Sequence, residues 1–599
     1  LTQSTYEEGK VATYKTIAEY HTNQNFFHAC IKLYQVNNNF SYSDFLFLFG
    51  IITYLLNKTE IEESAFIDRL RILRNLIWNS SSGEIRGDSD YMKDLLTEVE
   101  ILMLKGIIKT GLKHGFNGFQ EAEENDKMIR KTKMRCTGGP ASESESVLTQ
   151  MCKAGMNVAR LNFSHGSHEE HQKKIDTIKK VRKALGLPIA IMLDTKGPEY
   201  RIKTFENGKI TLKDGDTFTL TTDDIVGNQE RVSVTYKNLI NNLKVGDHVL
   251  INNGLIILEV EKLKAPDAIC KVLVGGEVSD KKSMNFPNKV MDHAFLSEQD
   301  KKDLLFGIKN DVDFVAASFV SVKKDVEDMR KFLDENGGED IDIIAKIENR
   351  SGVEHIEEIC EIANGVMIAR GDLGVEIPGM EVPAVQKYLI SKCRMLGKRV
   401  ITATEMLESM IHNPRPTRAE LSDVANAVYD GSSAIMLSGE SAAGKYPVDA
   451  VRNMAEIAEY TESQIKYTKR FRTSDFETRS IQDAISHATC AMAVDVQAKC
   501  IVASTLSGTT ARMVSRFRCP VDIIGMTTSE KVWRKLNLSW GVTPVLCEEF
   551  SSMEVMFYHA MKKAKEVLSL QTGDAVVLTG GLINGKVGNT NVIKVETVK

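Results

Sequence analysis

Charged and hydroxyl side chains follow several apolar runs of the sequence, at the point where each run ends. Lys346 and Glu348 end the run IDIIAKIE, and Asp372 follows the next run, GVMIARG. Two carboxylates with no histidine or cysteine in the same pattern offer oxygen ligands, which suit Mg²⁺ or Mn²⁺ better than zinc. Such a metal, with the positive charges of Lys346 and Arg160, would neutralise a phosphoryl group during its transfer. These residues therefore predict phosphoryl-transfer chemistry.

A second group of oxygen-bearing residues follows two earlier runs. Asn162 and Ser164 come at the end of NVARLNF, and Asp194 and Thr195 end IAIMLDT. One carboxylate gives this group too little charge for a tight divalent site. Its spacing is equally compatible with a monovalent cation and with a hydrogen-bond network that ties the two runs together.

Other runs end in the same way. Thr404 ends RVITATE, and Ser438 and Glu440 end AIMLSGE. Residues 371–374, Gly-Asp-Leu-Gly, can open a short helix whose free backbone N–H groups would bind an anion such as a carboxylate. The sequence has no Gly-rich phosphate loop of the Walker or Rossmann type.

Eight apolar runs must position these residues. They are continuous stretches, as expected of strands buried on both faces, and they alternate with segments of helical character. Eight β/α units predict a TIM (β/α)8 barrel, in which the reacting groups lie at the carboxyl ends of the strands. The predicted strands are 133–139, 157–163, 189–195, 313–319, 341–348, 365–371, 399–405 and 434–440.

The chain divides into four regions that differ in their sequence pattern. Residues 128–198 and 288–468 carry the barrel pattern, and more than a hundred residues separate its third and fourth strands. Most of that gap, 199–287, alternates short strands with turns, which predicts an inserted small β-barrel domain that acts as a lid. Residues 469–599 predict an α/β domain with a mostly parallel sheet. Residues 1–127 are predicted to form a helical extension and carry no catalytic cluster.

Composition narrows the class of protein. The net charge of -5 gives no sign of a nucleic-acid or membrane partner. The ten cysteines are scattered without CxxC pairs, which favours a reduced, cytoplasmic chain. The apolar run 45–56 is shorter than the ~20 residues that span a bilayer, so a buried helix is predicted there. The tripeptide 370–372, RGD, would need an exposed loop and a secretion route to act in adhesion, and the sequence indicates neither.

Six long segments resemble the motifs of the pyruvate kinase family, and they occur in the order of that family between Met128 and the end of the chain. The resemblance implies a bacterial, potassium-dependent member that transfers the phosphoryl group of phosphoenolpyruvate to ADP, giving pyruvate and ATP. It also implies Mg²⁺ (or Mn²⁺) and K⁺ as cofactors and a cytoplasmic homotetramer. The segments are ARLNFSHG, LDTKGPE, AKIENRSGV, MIARGDLGVEIP, TATEMLESMIHNPRPTRAE and MLSGESAAGKYP.

The resemblance assigns roles at the substrate. Lys346 stabilises the phosphoryl group in transfer and the enolate oxygen, and Glu348 and Asp372 hold the divalent metal. Arg160 binds the phosphate, and Ser438 and Glu440 lie near the route by which the enolate is protonated. The implied substrate-binding residues are Arg160, Lys346, Gly371, Asp372 and Thr404.

The resemblance also assigns a monovalent-cation site and a nucleotide site. Glu199 matches a position that is acidic in potassium-dependent members and lysine in potassium-independent ones. The implied potassium ligands are Asn162, Ser164, Asp194 and Thr195. The implied nucleotide-binding residues are Asn162, His165 and Arg201.

A loop in the last domain resembles the family's site for a phosphorylated effector. Hydroxyls and free N–H groups in a turn suit a phosphate. Fructose bisphosphate, a sugar monophosphate, AMP and no effector at all stay open, because Thr509 stands where a basic residue is common. The loop residues are Thr505, Ser507, Thr509 and Thr510.

Several positions depart from the family's pattern. Gly138 stands where a large aliphatic residue is usual, and Asn252-Asn253 replaces two aspartates in the lid. Ser321 replaces a frequent arginine, and Glu405 replaces a more frequent glutamine. A metal-dependent aldolase acting on pyruvate is the alternative barrel enzyme, but it needs neither the lid nor Lys346. Residues 1–127 do not resemble the family; an inert appendage is favoured there over nucleic-acid binding.

Overall fold

The computed structural model describes most of the chain after residue 128. The predicted helical extension 1–127, with its apolar run 45–56, lies outside the described residues and stays a prediction. No helix in the described part is both long and apolar enough to cross a bilayer. The described ranges are 129–289, 291–292, 294–550, 552–581 and 590–599.

The described residues form 22 strands, which we number along the chain. They are β1 Lys133–Thr137, β2 Val158–Asn162, β3 Ala190–Asp194, β4 Tyr200–Arg201, β5 Lys209–Leu212, β6 Thr217–Thr221, β7 Arg231–Ser233, β8 His248–Ile251, β9 Ile256–Lys264, β10 Asp267–Val274, β11 Gly276–Ser279, β12 Ser283–Asn285, β13 Phe314–Ala317, β14 Asp342–Ile347, β15 Gly365–Ala369, β16 Arg399–Ala403, β17 Ala434–Leu437, β18 Cys500–Ser504, β19 Asp522–Thr527, β20 Val542–Leu546, β21 Ala575–Gly581 and β22 Thr590–Thr597.

The helices of the same residues are numbered in the same way, and two short 3-10 helices, Gly379–Glu381 and Glu408–Ile411, are left unnumbered. They are α1 Glu145–Lys153, α2 His168–Leu185, α3 Leu239–Asn242, α4 Glu298–Lys309, α5 Lys323–Glu335, α6 Arg350–Glu354, α7 Ile356–Ile362, α8 Arg370–Glu376, α9 Val382–Met395, α10 Arg418–Asp430, α11 Gly439–Ala442, α12 Pro447–Gln464, α13 Tyr467–Thr473, α14 Ile481–Asp495, α15 Thr509–Ser515, α16 Glu530–Leu536 and α17 Met553–Leu568.

Eight parallel strands close into a barrel in the order β1-β17-β16-β15-β14-β13-β3-β2, which confirms the predicted (β/α)8 fold. Alternate residues of each strand face the barrel interior or the surrounding helices. The interior holds small and medium apolar side chains such as Val158, Met192 and Met367, while the outer faces pack on the helices. Each strand ends within a few residues of its predicted end, so the polar residues that follow the runs lie together at one end of the barrel.

Local signals explain where the barrel helices begin and end. Helix α2 begins after Ser167, whose hydroxyl accepts from the Glu170 N–H while the Glu170 carboxylate accepts from the Ser167 N–H. This capping box satisfies N–H groups that the first turn leaves without partners. The helix ends at Gly186, whose φ of 64° is the left-handed conformation that glycine adopts without strain.

The strands between β3 and β13 form two sheets with an apolar core of their own. Seven strands pair in the order β4-β12-β8-β9-β10-β6-β7, and β11 pairs with β5. After the barrel, five strands pair in the order β20-β19-β18-β21-β22, of which only β22 is antiparallel. This mostly parallel sheet confirms the predicted α/β fold of the C-terminal region, whereas the exact domain boundaries stay predictions.

Two neighbouring glycines after β1 lie in opposite environments. A Cβ atom on Gly138 would be 3.7 Å from its nearest neighbours, and the residue lines a cavity of about 20 Å³ with Leu148 and Met151. A Cβ atom on Gly139 would come within 2.4 Å of the Ala442 carbonyl oxygen. The missing aliphatic side chain at Gly138 therefore leaves a gap, whereas Gly139 is required by close packing.

We expect Gly138→Ala to raise the free energy of unfolding by about 0.5–1 kcal/mol, since it removes backbone entropy from the unfolded chain and adds contacts in the cavity. Gly139→Ala is the matched control and should destabilise, because its Cβ would overlap backbone atoms. Apparent thermal midpoints of the three proteins give the comparison. A lower midpoint for Gly138→Ala would show that the gap after β1 is not available to a side chain.

Candidate active site

Lys346 lies at the centre of the polar end of the barrel. Its Nζ is 3.1 Å from Asp194 Oδ1, 3.1 Å from Glu348 Oε1 and 2.7 Å from Ser318 Oγ. Burial lowers the pKa of this amine, but the two carboxylates outweigh burial and raise the pKa above its usual value. The side chain is therefore a fixed cation rather than a base at neutral pH.

Asp194 is fully buried and holds several cations together. Its Oδ2 accepts from Arg160 Nε at 2.6 Å and from Arg135 Nη2 at 3.1 Å. Burial would raise its pKa, but the attraction of Arg160, Lys346 and Arg135 is stronger in sum and holds the pKa well below the usual range. The carboxylate is therefore ionised, and it orients three positive side chains of the site.

Glu348 and Asp372 are the predicted metal ligands. Glu348 is buried; its Oε2 accepts from the Phe319 N–H at 2.6 Å, while Oε1 makes no hydrogen bond although Lys346 lies beside it. Burial first, and the charge of Asp372 next, raise the pKa of Glu348 to about 7. A buried carboxylate oxygen without a hydrogen bond, with a second carboxylate nearby, fits a divalent cation that draws its other ligands from substrate and water.

The proposed metal site has few protein carboxylates. The described residues contain no group of three or more His, Cys, Asp or Glu side chains placed to hold a metal. Two carboxylates are sufficient for Mg²⁺, which is commonly bound by one or two protein carboxylates with substrate phosphates. Glu348 and Asp372 therefore fit Mg²⁺ better than a metal that needs a complete protein cage.

Hydrogen bonds connect the segment that follows β15 with the segment that follows β16. The Gly371 N–H donates to Thr404 Oγ1 at 2.8 Å, and Arg370 donates to the Thr404 carbonyl oxygen at 2.6 Å. Arg370 also forms two hydrogen bonds with the carboxylate of Asp423, at 2.7 and 2.8 Å. Arg370 thus braces the backbone of Thr404, whose φ of 70° is unusual for a residue with a side chain.

Ser438 and Glu440 lie at the end of β17. Glu440 is buried and accepts from the N–H groups of Leu407, at 3.0 Å, and Ser438, at 2.6 Å. The Ser438 Oγ is buried and has no hydrogen-bond partner. Glu440 therefore ties two loops of the site together, while the Ser438 hydroxyl is left able to bond a ligand.

Three of the four predicted potassium ligands, Asn162, Asp194 and Thr195, have side-chain oxygens that bond protein groups. Both oxygens of Asp194 bond cationic side chains, and Thr195 Oγ1 donates to the Ala316 carbonyl and accepts from the Ser318 N–H. Asn162 Oδ1 accepts from the Ser164 N–H at 3.2 Å. These bonds are the hydrogen-bond network that the spacing also allowed. Asp194, the one carboxylate of the set, already contacts three cationic side chains, which disfavours a further cation there.

A cleft of about 300 Å³ opens between the barrel end and the inserted strands. Asp372 and Phe319 line it from the barrel, and Arg201 and Asn253 line it from the other side. Asn285 Nδ2 donates to Glu376 Oε1 at 2.9 Å across the same gap. A cleft of this volume can hold a small-molecule ligand.

Two family models match most of the chain after residue 128. A family model described as "Pyruvate kinase, barrel domain" matches residues 129–451, and one described as "Pyruvate kinase, alpha/beta domain" matches 483–596. The chain belongs to the pyruvate kinase family. The predicted family and the predicted phosphotransferase class are both confirmed.

Relatives and a solved structure give the extent of the likeness. The chain is 47% identical over 473 residues to a protein named pyruvate kinase from Clostridium acetobutylicum, which covers 79% of this chain and all of that one. It is 47% identical over 475 residues to the Geobacillus stearothermophilus pyruvate kinase, covering 79% and 81% respectively. A crystal structure of a Cryptosporidium parvum pyruvate kinase aligns with a TM-score of 0.75 and 39% identity, covering 78% of this chain and 96% of that one.

The remaining pyruvate kinase motifs lie at the edge of the cleft or far from it. Arg201 is paired with Glu199, and His165 is exposed after β2. The loop that resembles the family's effector site leads into α15 in the C-terminal region, and its residues Thr509 and Thr510 begin that helix. Its Ser507 and Thr509 hydroxyls bond each other at 2.9 Å, and Thr510 bonds Thr590 at 2.7 Å.

Three residues of this pyruvate kinase site were not predicted. Ser318 bonds Lys346; Phe319, with φ of 59°, offers its N–H to Glu348; and Arg135 bonds Asp194. For Ser318 and Phe319 the sequence carries no signal. Serine is a common residue near the end of a strand, and nothing in the sequence marks a phenylalanine that adopts a positive φ. Arg135 had one, since its charged side chain stands between two apolar residues, Met134 and Cys136, in the middle of a predicted strand.

Proposed function

We propose that this chain transfers the phosphoryl group of phosphoenolpyruvate to ADP, giving pyruvate and ATP. The observation that carries the proposal is the buried Lys346 ammonium, held between Asp194 and Glu348 at the carboxyl ends of the barrel strands. A fixed cation beside a divalent-metal site is what a phosphoryl group needs while it passes between two oxygens.

Lys346 and Arg160 would bind the phosphoryl group. Asp194 orients both side chains, so their charges are in place before the substrate arrives and need no reorganisation during the reaction. Lys346 keeps its proton because the neighbouring carboxylates raise its pKa. The lysine therefore acts through charge on the moving phosphoryl group and on the enolate oxygen left behind.

Glu348 and Asp372 would hold Mg²⁺ or Mn²⁺, which when bound supplies Lewis-acid charge to the substrate oxygens. The Thr404 hydroxyl and the backbone of Gly371 and Asp372 would orient the substrate carboxylate. The hydrogen bond between Thr404 and Gly371 positions these two groups next to each other.

The Ser438 hydroxyl would take part in protonating the enolate. It is buried without a hydrogen-bond partner, so a ligand oxygen or a water could complete its bonding. Glu440 would act as a positioning residue, because it accepts from the Ser438 N–H and fixes that backbone.

Residues 199–287 would act as a lid that excludes water from the phosphoryl group. The cleft between these strands and the barrel has room for a nucleotide, with Asn162, His165 and Arg201 as its proposed binding residues. Asn252 and Asn253 have φ values of 57° and 56° in a tight turn at the cleft. They bring neutral side chains where the family usually has carboxylates.

The resemblance also predicts properties of the whole enzyme. A homotetramer, a cytoplasmic location and a phosphorylated effector at Thr505, Ser507, Thr509 and Thr510 stay proposals. Apolar side chains exposed on α9 and α10, among them Tyr388 and Leu421, support self-association because a second copy would cover them. Potassium is predicted by the resemblance, but the carboxylate of its ligand set already contacts three cationic side chains, and no step here depends on potassium.

We expect the purified protein, with phosphoenolpyruvate, ADP and Mg²⁺, to produce pyruvate and ATP in equal amounts. Pyruvate is followed through NADH oxidation by added lactate dehydrogenase, and ATP is measured separately. Omitting ADP is the control, because a phosphatase would release pyruvate without it. Folded protein that forms no pyruvate in any salt would refute the proposed function.

A further inference from the structure

Arg135 is a fully buried cation inside the barrel. It is the third residue of β1, and its side chain has no exposed surface. Its Nη2 donates to Asp194 Oδ2 at 3.1 Å, its Nη1 lies 3.0 Å from the sulfur of Met367, and its Nε has no hydrogen-bond partner. Burying a guanidinium is costly unless a carboxylate compensates it, so Arg135 and Asp194 depend on each other.

Cationic side chains occupy most of the acceptor capacity of the Asp194 carboxylate. A carboxylate offers about four lone-pair sites. At Asp194, Arg135 and Arg160 use two of them on Oδ2, and the Lys346 Nζ lies 3.1 Å from Oδ1. The single proton of the Ser318 hydroxyl is donated to the Thr195 carbonyl oxygen at 2.6 Å. A monovalent cation at Asp194 would therefore be a fourth positive charge at a carboxylate that already contacts three.

The protein itself supplies the positive charge at Asp194. Arg135, Arg160 and Lys346 each lie within 3.1 Å of an Asp194 oxygen. A guanidinium is not deprotonated in proteins, so Arg135 carries its charge at neutral pH. Arg135 therefore supplies a unit of positive charge at Asp194 whatever salt is present.

We propose that the Arg135 guanidinium takes the electrostatic role of a monovalent cation beside Asp194, so that phosphoryl transfer by this chain does not require potassium. The inference rests on the proposed function, and it replaces the potassium dependence that Glu199 and the resemblance predict. Arg135 is a positioning residue: it acts on the substrate through Asp194 and the two cations that Asp194 orients.

The first test compares turnover by the full chain in KCl and in tetramethylammonium chloride of equal ionic strength, with Mg²⁺ saturating. We expect rates within about twofold, whereas a loss of about tenfold or more in the organic salt would overturn the inference. Thallium(I) binding, followed by its NMR signal with the metal alone, gives a readout apart from activity. Binding of Tl⁺ by the wild-type protein in competition with K⁺ would also overturn it.

The second test uses Arg135→Met, which keeps the length of the side chain and removes its charge, with Arg135→Lys as the charge-keeping control. Arg135→Met should become potassium-dependent, with rates at least about tenfold higher in KCl than in the organic salt, and should acquire Tl⁺ binding. Arg135→Lys should stay indifferent to the cation. A folded Arg135→Met protein with equal rates in both salts would refute the role of Arg135.

The two proposals fail in different ways. Absence of pyruvate in both salts refutes the proposed function, whereas strong activity in KCl alone refutes only the inference. If Arg135→Met does not fold, as judged by its thermal midpoint, the wild-type salt comparison and the Tl⁺ measurement still decide the question.

Discussion

Replacing Lys346 with methionine is expected to lower the turnover number for pyruvate formation by about a thousandfold, the size seen when a charge-stabilising group is removed from a buried site. Methionine is similar in size but cannot neutralise the phosphoryl group. The loss of the Lys346 ammonium also leaves Asp194 Oδ1 and Glu348 Oε1 without their shared cation. Steady-state assay with saturating phosphoenolpyruvate, ADP and Mg²⁺ measures the effect on turnover rather than on binding.

Two controls separate chemistry from folding in this experiment. Lys324, an exposed lysine on α5, provides the matched variant Lys324→Met, which should keep wild-type turnover. Mn²⁺ binding, followed by electron paramagnetic resonance, should survive in Lys346→Met because both metal ligands remain. A loss of less than about tenfold in a folded Lys346→Met protein would contradict the central role given to this lysine.

Glu348→Gln is the second change with a large expected effect. It should weaken Mn²⁺ binding by about a hundredfold or more and lower kcat/KM by a similar or larger factor, since a neutral amide is a poor ligand for a hard cation. The amide can still accept from the Phe319 N–H, so the fold around it should be preserved. Direct titration with Mn²⁺ measures the first effect, and the coupled assay measures the second.

Glu376→Gln is the matched control for Glu348→Gln. Glu376 is a half-buried carboxylate that lines the same cleft and bonds Asn285, but it is not a proposed metal ligand. Its variant should bind Mn²⁺ as the wild-type protein does. Equal Mn²⁺ affinity in Glu348→Gln and the wild-type protein would show that the metal is held elsewhere.

The barrel was predictable because its signal is local. Continuous apolar runs such as 341–348 can be buried on both faces only in a parallel sheet covered by helices, and eight of them in alternation with helices close into one fold. The same rule placed Lys346, Glu348 and Asp372 at one end of the barrel, because the carboxyl ends of parallel strands lie together. These residues are found there.

The pairing of side chains at that end was not predictable in the same way. Asp194 was expected to hold potassium, yet its oxygens bond Arg135, Arg160 and Lys346. Whether a carboxylate meets a guanidinium or a free ion depends on the reach of side chains from β1 and β14, which come from distant parts of the sequence. The unusual φ of Thr404 is likewise imposed by surrounding contacts. It could not be read from the sequence, because the residue is not a glycine.

By itself, then, the sequence determined the barrel, the family and the identity of the charged groups at its active end, because strand burial and residue chemistry are written in short segments. Only the tertiary structure decided how those charges are shared. Closing the barrel brings β1 beside β2 and aims Arg135 at Asp194, and it leaves one Glu348 oxygen without a hydrogen bond. Electrostatic balance in a buried site is a property of distances between strands, which no single segment contains.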